Sequence, residues 1–202
     1  AWWWLQFPRP EPANACQHAA GAHLPTFRAD KPLRGPQPRI LVGRREIIRR
    51  IQKNPLNRAL RIDKLTLTAL EAVLRLYLDE EEALARIPTL RMISEAAARI
   101  RERSQHLLNS AAGALAGACQ LELCPMSSQV GGGALPAQDL PSWGLSCKPL
   151  LMAAHQLERR LREVSLLVMA RMEQNTLFFD MRTVGADETS LLFHSLQEAM
   201  QP

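Results

Sequence analysis

No stretch of the 202-residue chain comes near the roughly 18 to 20 consecutive apolar residues that a membrane-spanning helix requires, which excludes a helical membrane protein. Cysteine is scarce. Four residues (Cys16, Cys119, Cys124, Cys147) with no Cys-x-x-Cys pair exclude a disulfide scaffold and a zinc ribbon, and reduced thiols in a cytoplasmic protein are the default. The five histidines are dispersed, so no metal site is expected. Lysine is also rare, four against twenty-one arginines, and the planar guanidinium fork suits oxyanions better than a point charge does. The chain has no initiating methionine, and its start has neither the basic residues nor the continuous apolar stretch of a secretory signal; a fragment is expected.

What is present points to a folded protein. Hydrophobic residues make up 47% and charged residues 22%, enough for a real core and too apolar for wholesale disorder. The net charge of +5 is unevenly placed. Residues 28–64 hold twelve basic side chains against three acids, a net of +9, leaving thirteen basic and seventeen acidic residues elsewhere, a net of −4. An anionic partner would meet this segment; the alternative is a solvated basic helix face.

Periodicity gives a coarse outline. The first 27 residues, with Trp2, Trp3 and Trp4 and scattered prolines, read as an irregular tail. A short apolar run at 40–42 feeds a helix over 44–53 that Pro55 ends, and three- and four-residue spacing predicts a long, largely buried helix over 64–78. The acidic cluster 79–82 opens a short turn stopped by Pro88, and Ser94 and Glu95 open a helix to about Asn109, with Ile100, Leu107 and Leu108 inward. An Ala/Gly-rich hinge follows at 111–117. Strands are then expected at 119–126, 142–147, 165–171 and 176–184, the last two separated by the turn-like Gln174 and Asn175, with a helix at 150–163 and a final helix capped by Asp187. This half is an α+β unit, a four-stranded antiparallel sheet with helices on one side.

Particular strings are more specific. Thr26-Phe27 with Asp30-Lys31, Gly35-Pro36-Gln37, Ile40-Leu41-Val42-Gly43, Asn54-Pro55-Leu56 with Arg58-Ala59-Leu60-Arg61, Asp63-Lys64-Leu65-Thr66-Leu67 and Ile87-Pro88-Thr89-Leu90-Arg91 stand in one order. Ser128-Gln129-Val130-Gly131-Gly132-Gly133-Ala134-Leu135-Pro136, Leu140-Pro141-Ser142 and Phe179-Asp180-Met181-Arg182 follow. Together they resemble the bacterial selenocysteine synthases, the L-seryl-tRNA(Sec) selenium transferases, from about residue 24 to the end. The resemblance implies a fold-type I transferase dependent on pyridoxal phosphate that converts seryl-tRNA(Sec) with selenophosphate as donor and forms a large homo-oligomer. It implies that Lys31 is the Schiff-base lysine, which delivers substrate onto the cofactor and then shuttles a proton. Asp30, beside it, either places that lysine or is a plain turn residue. Arg58 and Arg61, three apart and expected on one side of a helical turn, are implied as the selenium-donor anion site; the bland reading is a basic helix face. Gln129 with the three glycines lacks the Gly-Lys-Ser/Thr ending of a phosphate loop and reads as a structural bend.

Around the lysine the sequence departs from the family's glycine-rich pattern: Pro32, Arg34, Pro38 and Arg39 predict a disturbed turn. The family's cofactor cup and tRNA-binding region lie upstream of the lysine, and residues 1–23 match neither. The chain therefore reads as an unmatched tail (1–23), a remnant of the α/β large domain with a basic connector (24–63), linking helices (64–110) and a small α+β domain (111–202). A noncatalytic basic domain binding RNA or a partner subunit is the alternative.

Overall fold

The computed structural model describes residues 21–30, 33, 35–130 and 135–201. The chain divides into two compact units, Ala1–Ile93 with Gln129–Gln138, and Ser94–Ser128 with Asp139–Pro202. The division falls inside the stretch 64–110 read above as linking helices.

The first unit begins with β1 (Thr26–Arg28), antiparallel to β2 (Arg39–Leu41) in the register Thr26↔Leu41, Phe27↔Ile40, Arg28↔Arg39. The residues taken as an irregular tail thus end in a strand. Five helices follow: α1 (Arg45–Lys53), α2 (Leu56–Ala59), α3 (Lys64–Leu76), α4 (Glu80–Arg86) and α5 (Pro88–Ser94). Short polar side chains punctuate them. Asn54 Oδ1 accepts from Leu56 N at 3.0 Å, Asp63 accepts from Thr66 N at 2.9 Å and Thr66 Oγ1 at 2.6 Å, and Asp79 accepts from Glu82 N at 3.1 Å. Those hydrogen bonds, the Thr66 hydroxyl first, hold the Asp63 carboxyl below its ordinary range. Pro88 does more than stop α4: it occupies the first position of α5, where a missing N–H costs nothing. The expectation for α3 is overturned, because only Leu70 on it is buried.

In the second unit α6 (Ala97–Leu115) packs on a sheet of order β3-β4-β6-β5, made of β3 (Cys119–Val130), β4 (Leu135–Pro149), β5 (Arg171–Glu173) and β6 (Thr176–Asp180). β4 and β5 both run antiparallel to β6, with Leu145↔Phe179 and Cys147↔Leu177 placing one alternation on the core. Against those side chains lie Leu157 and Leu161 of α7 (Ala154–Leu161), Met181 of a 3₁₀ turn (Met181–Thr183), and Leu192 and Leu196 of α8 (Thr189–Met200). The four-stranded antiparallel sheet with helices is as expected.

Boundaries differ for physical reasons, some local and some distant. No hinge forms at 111–117: Ile100, Ser104, Leu107, Ala111 and Leu115 make one buried seam, and alanine is the strongest helix former, so α6 runs on to Leu115. α6 also starts at Ala97, after Ser94 has closed α5. α7 starts at Ala154 and not at 150, since Leu150 N still donates to Ala118 O on the ladder at 2.9 Å. The strand expected at 165–171 shrinks to β5. Ser165 is held by the Glu198 carboxylate (N at 3.1 Å, Oγ at 2.7 Å) and Val168 N by Leu161 O at 2.7 Å, which commits this segment to the helices. β6 stops at Asp180, whose Oδ1 accepts from Arg182 N at 3.0 Å and starts the 3₁₀ turn. Glu188, and not Asp187, precedes α8 at the cap position. Gln174 (φ 47°) and Asn175 (φ 61°) form the expected tight turn.

Candidate functional site

The β1–β2 hairpin presents the loop that contains position 31. Two backbone bonds close its mouth, Ala29 N to Pro38 O at 3.0 Å and Gly35 N to Ala29 O at 3.1 Å, around a fully buried Ala29. Pro38 thus serves the turn through its carbonyl, which its ring leaves intact. The loop rests on α3: Tyr77 Oη donates to Leu33 O at 3.2 Å, and Leu70 Cδ1 and Val73 Cγ1 lie 3.7 Å from where a Cβ on Gly35 would stand. Asp30 is mostly buried and held by Arg28 through a two-pronged contact, Nε to Oδ1 at 3.0 Å and Nη2 to Oδ2 at 2.7 Å, which in turn keeps the guanidinium above its ordinary pKa. Lys31, Pro32 and Arg34, with Gly131, Gly132 and Gly133 of the glycine run, lie outside the described residues.

Arg58 and Arg61 do not share a helical turn. α2 ends at Ala59, Leu60 leaves helical geometry (φ −96°, ψ 8°), and Arg61 stands on the irregular chain leading to the Asp63 cap. The cap sets this geometry, because an extended residue 63 is needed for its carboxylate to reach Thr66. Both arginines are exposed, and among the described residues neither side chain has a hydrogen-bonding or ionic partner. Arg45, Arg49, Arg50 and Lys53 on α1 are exposed as well, so this part of the +9 segment presents a cationic surface.

A second polar cluster in the other unit was not singled out from the sequence. Asp180 accepts from Ser142 Oγ at 2.6 Å, from Ser128 Oγ and from Arg182 N at 3.0 Å. The Arg182 guanidinium is 5% exposed and donates to Glu95 O at 2.9 Å and Pro141 O at 2.6 Å. Arg103 bridges the Glu95 carboxylate (2.5 and 3.0 Å) and Met181 O (2.7 Å). Burial lowers the Arg182 pKa, with the carboxylates of Asp180 and Glu95 opposing it. The cluster joins the strings around Ser128, Pro141-Ser142 and Asp180-Met181-Arg182; the signal was there, but sequence does not say that they meet. With its groups turned on one another, this is a structural lock.

Of the three described cysteines, Cys119 and Cys147 are buried and Cys124 is half-buried. The contact between the Cys119 and Cys147 thiols pushes Cys147 up, with burial adding to it, and holds Cys119 down, while burial raises Cys124. Among the described residues no three His, Cys, Asp or Glu side chains gather as metal ligands, and no helix is long and apolar enough to cross a membrane.

The family model of L-seryl-tRNA selenium transferase matches residues 5–185, including most of the stretch set apart above as an unmatched tail. Curated relatives, each an L-seryl-tRNA(Sec) selenium transferase, share this similarity. That of Desulfotalea psychrophila is 41% identical over 179 residues, 89% of this chain and 38% of its own length. That of Solidesulfovibrio magneticus is 43% identical over 194 residues (95% and 41%), and that of Moorella thermoacetica 37% over 191 (95% and 41%). The chain spans about two-fifths of the length of the curated relatives it matches.

Proposed function

The chain belongs to the L-seryl-tRNA selenium transferase family, and on that premise we propose that it supplies part of the site that converts seryl-tRNA(Sec) to selenocysteinyl-tRNA(Sec) with selenophosphate as donor. Residues 24–63 are then the remnant of a fold-type I large domain and 111–202 the small α+β domain. The complete protein is a cytoplasmic homo-oligomer.

The observation that carries this reading is the closed hairpin of residues 26–41, which sets Asp30 and the adjoining position 31 on a loop with a fixed mouth. Pyridoxal phosphate, when bound, supplies an electron sink that eases departure of the serine α-proton and hydroxyl. Lys31 would hold it covalently and, once freed, would take that proton on its amine. The described residues fit this role at the attachment point: Arg28 fixes the Asp30 carboxylate, so the loop has a rigid charged flank. Arg58 and Arg61 meet the donor anion, each free to reach it because no described group holds its side chain. The open cationic surface of α1 favours one competing reading, a basic module that binds RNA without chemistry.

A chimera in which this chain replaces the matching portion of the Desulfotalea psychrophila relative separates the two. Arg58→Ala and Arg61→Ala should each weaken donor use by roughly ten- to a hundredfold, the loss of a charge-assisted contact, with tRNA affinity nearly unchanged. Arg45→Ala and Arg50→Ala should leave donor use alone. Selenophosphate-dependent turnover and tRNA binding are the measurements. Equal small losses in tRNA affinity across all four, with a salt slope reduced alike and no donor defect, would favour the basic module.

A further inference from the structure

Two of the three described cysteines meet in the core of the second unit. Leu150 N donates to Ala118 O at 2.9 Å and Cys124 Sγ to Gly144 O at 3.7 Å, contacts that a single antiparallel register of the neighbouring strands β3 and β4 accounts for. In that register Cys119 stands across from Pro149, so Cys147, two residues back along β4, is its diagonal partner on the same face. That face is the core: both cysteines are buried in one cluster with Leu115, Leu157 and Leu161. Their side chains share a hydrogen bond, which brings sulfur against sulfur. Alternation turns Cys124 to the opposite face of β3, and Cys16 lies outside the described residues.

A buried thiol is ordinarily inert, because reagents do not reach it and its ionised form is disfavoured. Cys119 departs from this on both counts. It lines an open cleft of about 370 Å³ with Ala112, Ala116, Gln120, Leu121 and Leu150, which admits a molecule a few atoms across. Its hydrogen bond with Cys147 lowers its pKa against the effect of burial.

We propose that Cys119 and Cys147 are a peroxide-sensitive dithiol that closes to a disulfide and clips the first residue of β3 to β4. The Cys119 thiolate attacks one oxygen of hydrogen peroxide and the O–O bond breaks. The displaced hydroxide takes the proton that the thiol gave up and leaves as water, with a sulfenic acid on Cys119. The Cys147 sulfur then attacks that sulfur, the S–O bond breaks, and the hydroxyl leaves with the Cys147 proton as a second water. Two thiols lose two electrons and the peroxide gains them. The ring so closed encloses the 27 residues from 120 to 146, and closing it restricts the unfolded chain more than the folded one. Oxidation thereby makes the second unit harder to unfold and keeps Cys119 from passing on to the irreversible sulfinic acid. The inference owes nothing to the chemistry assigned to Lys31 or the arginines.

The test uses the full chain. It is treated with hydrogen peroxide, its remaining thiols are blocked in urea with N-ethylmaleimide, and its peptides are mapped without reduction by mass spectrometry. Cys119 and Cys147 should be recovered as one linked pair, two hydrogens lighter than the separate peptides. The unit's urea midpoint should rise by at least about 1 M and return on addition of dithiothreitol. Cys124→Ser should change neither result. In Cys147→Ser the sulfenic acid at Cys119 has no thiol to close on and should be trapped by dimedone; should that variant fail to fold, the peptide map of the parent chain decides alone. A chain in which Cys119 and Cys147 both take maleimide while Cys124 is oxidised would overturn the proposal, and so would Cys119 linked to any other cysteine. A linked pair with a lowered urea midpoint would overturn it too, because the cross-link would then be damage to the core.

Discussion

Lys31→Ala in the chimera should cut selenocysteinyl-tRNA formation by roughly 10²–10⁴-fold, the usual worth of a positioned proton-transfer group, with loss of covalent cofactor retention as well. Lys31→Arg should not rescue it, because a guanidinium keeps the charge but neither condenses with an aldehyde nor gives up a proton near neutral pH. Discharge of radiolabelled seryl-tRNA and the cofactor's visible absorbance report the two effects separately. Activity within threefold of the parent would remove Lys31 from the site. The isolated chain should retain the cofactor only weakly, because an attachment through Lys31 would hold it at one end only.

The largest loss of stability is expected at the polar lock in the second unit. Arg182→Ala withdraws a buried guanidinium from two carbonyls, those of Glu95 and Pro141. Breaking a buried charged network by removing one partner typically costs about 3–5 kcal/mol, a large part of a domain's stability. Urea titration should show the unit's transition at a much lower midpoint, and Arg182→Lys should recover little because one ammonium cannot span both acceptors in the same geometry. Arg159→Ala, on the exposed face of α7, serves as the control and should stay within about 0.5 kcal/mol. A midpoint shift no larger than the control's would mean that the cluster is solvated ornament.

Much of this architecture could be read from residue spacing, and the exceptions have identifiable causes. The Gln174-Asn175 turn, the alternation of β6 and the inward Ile100 and Leu107 of α6 are local signals, and they held. Two of the boundaries that moved were decided by partners some thirty residues away. Ser165 and Val168 turn to Glu198 and Leu161 in place of a neighbouring strand, and Leu150 stays on the ladder because Ala118 accepts from it. α3 differs in another way: its periodicity correctly announces an apolar sector, but period alone does not say how much of that sector is buried. For the site, Arg58 and Arg61 were legible as residue types, while their separation onto a helix end and an irregular exit depended on the Asp63 cap. The lock of Asp180 and Arg182 needed three distant strings to meet, which no spacing rule foretells.

Asn175 has a further consequence, in the order of events as the second unit folds. It occupies the left-handed region in the β5–β6 turn, and its Oδ1 also accepts from Ala154 N at 3.1 Å, serving as the cap that Ala153 has no side-chain oxygen to provide. Only 21 residues separate the two, so hairpin and helix can find each other by a short, entropically cheap closure well before β3 must be brought into register. A single side chain thereby couples the pairing of β6 with β5 to the first turn of α7. Asn175→Gly keeps the turn's backbone and deletes only the cap, so its cost of about 0.5–2 kcal/mol should fall on the refolding limb of a chevron and hardly touch the unfolding rate. If the unfolding limb moves instead, this corner is assembled late and the long β3–β4 pair leads.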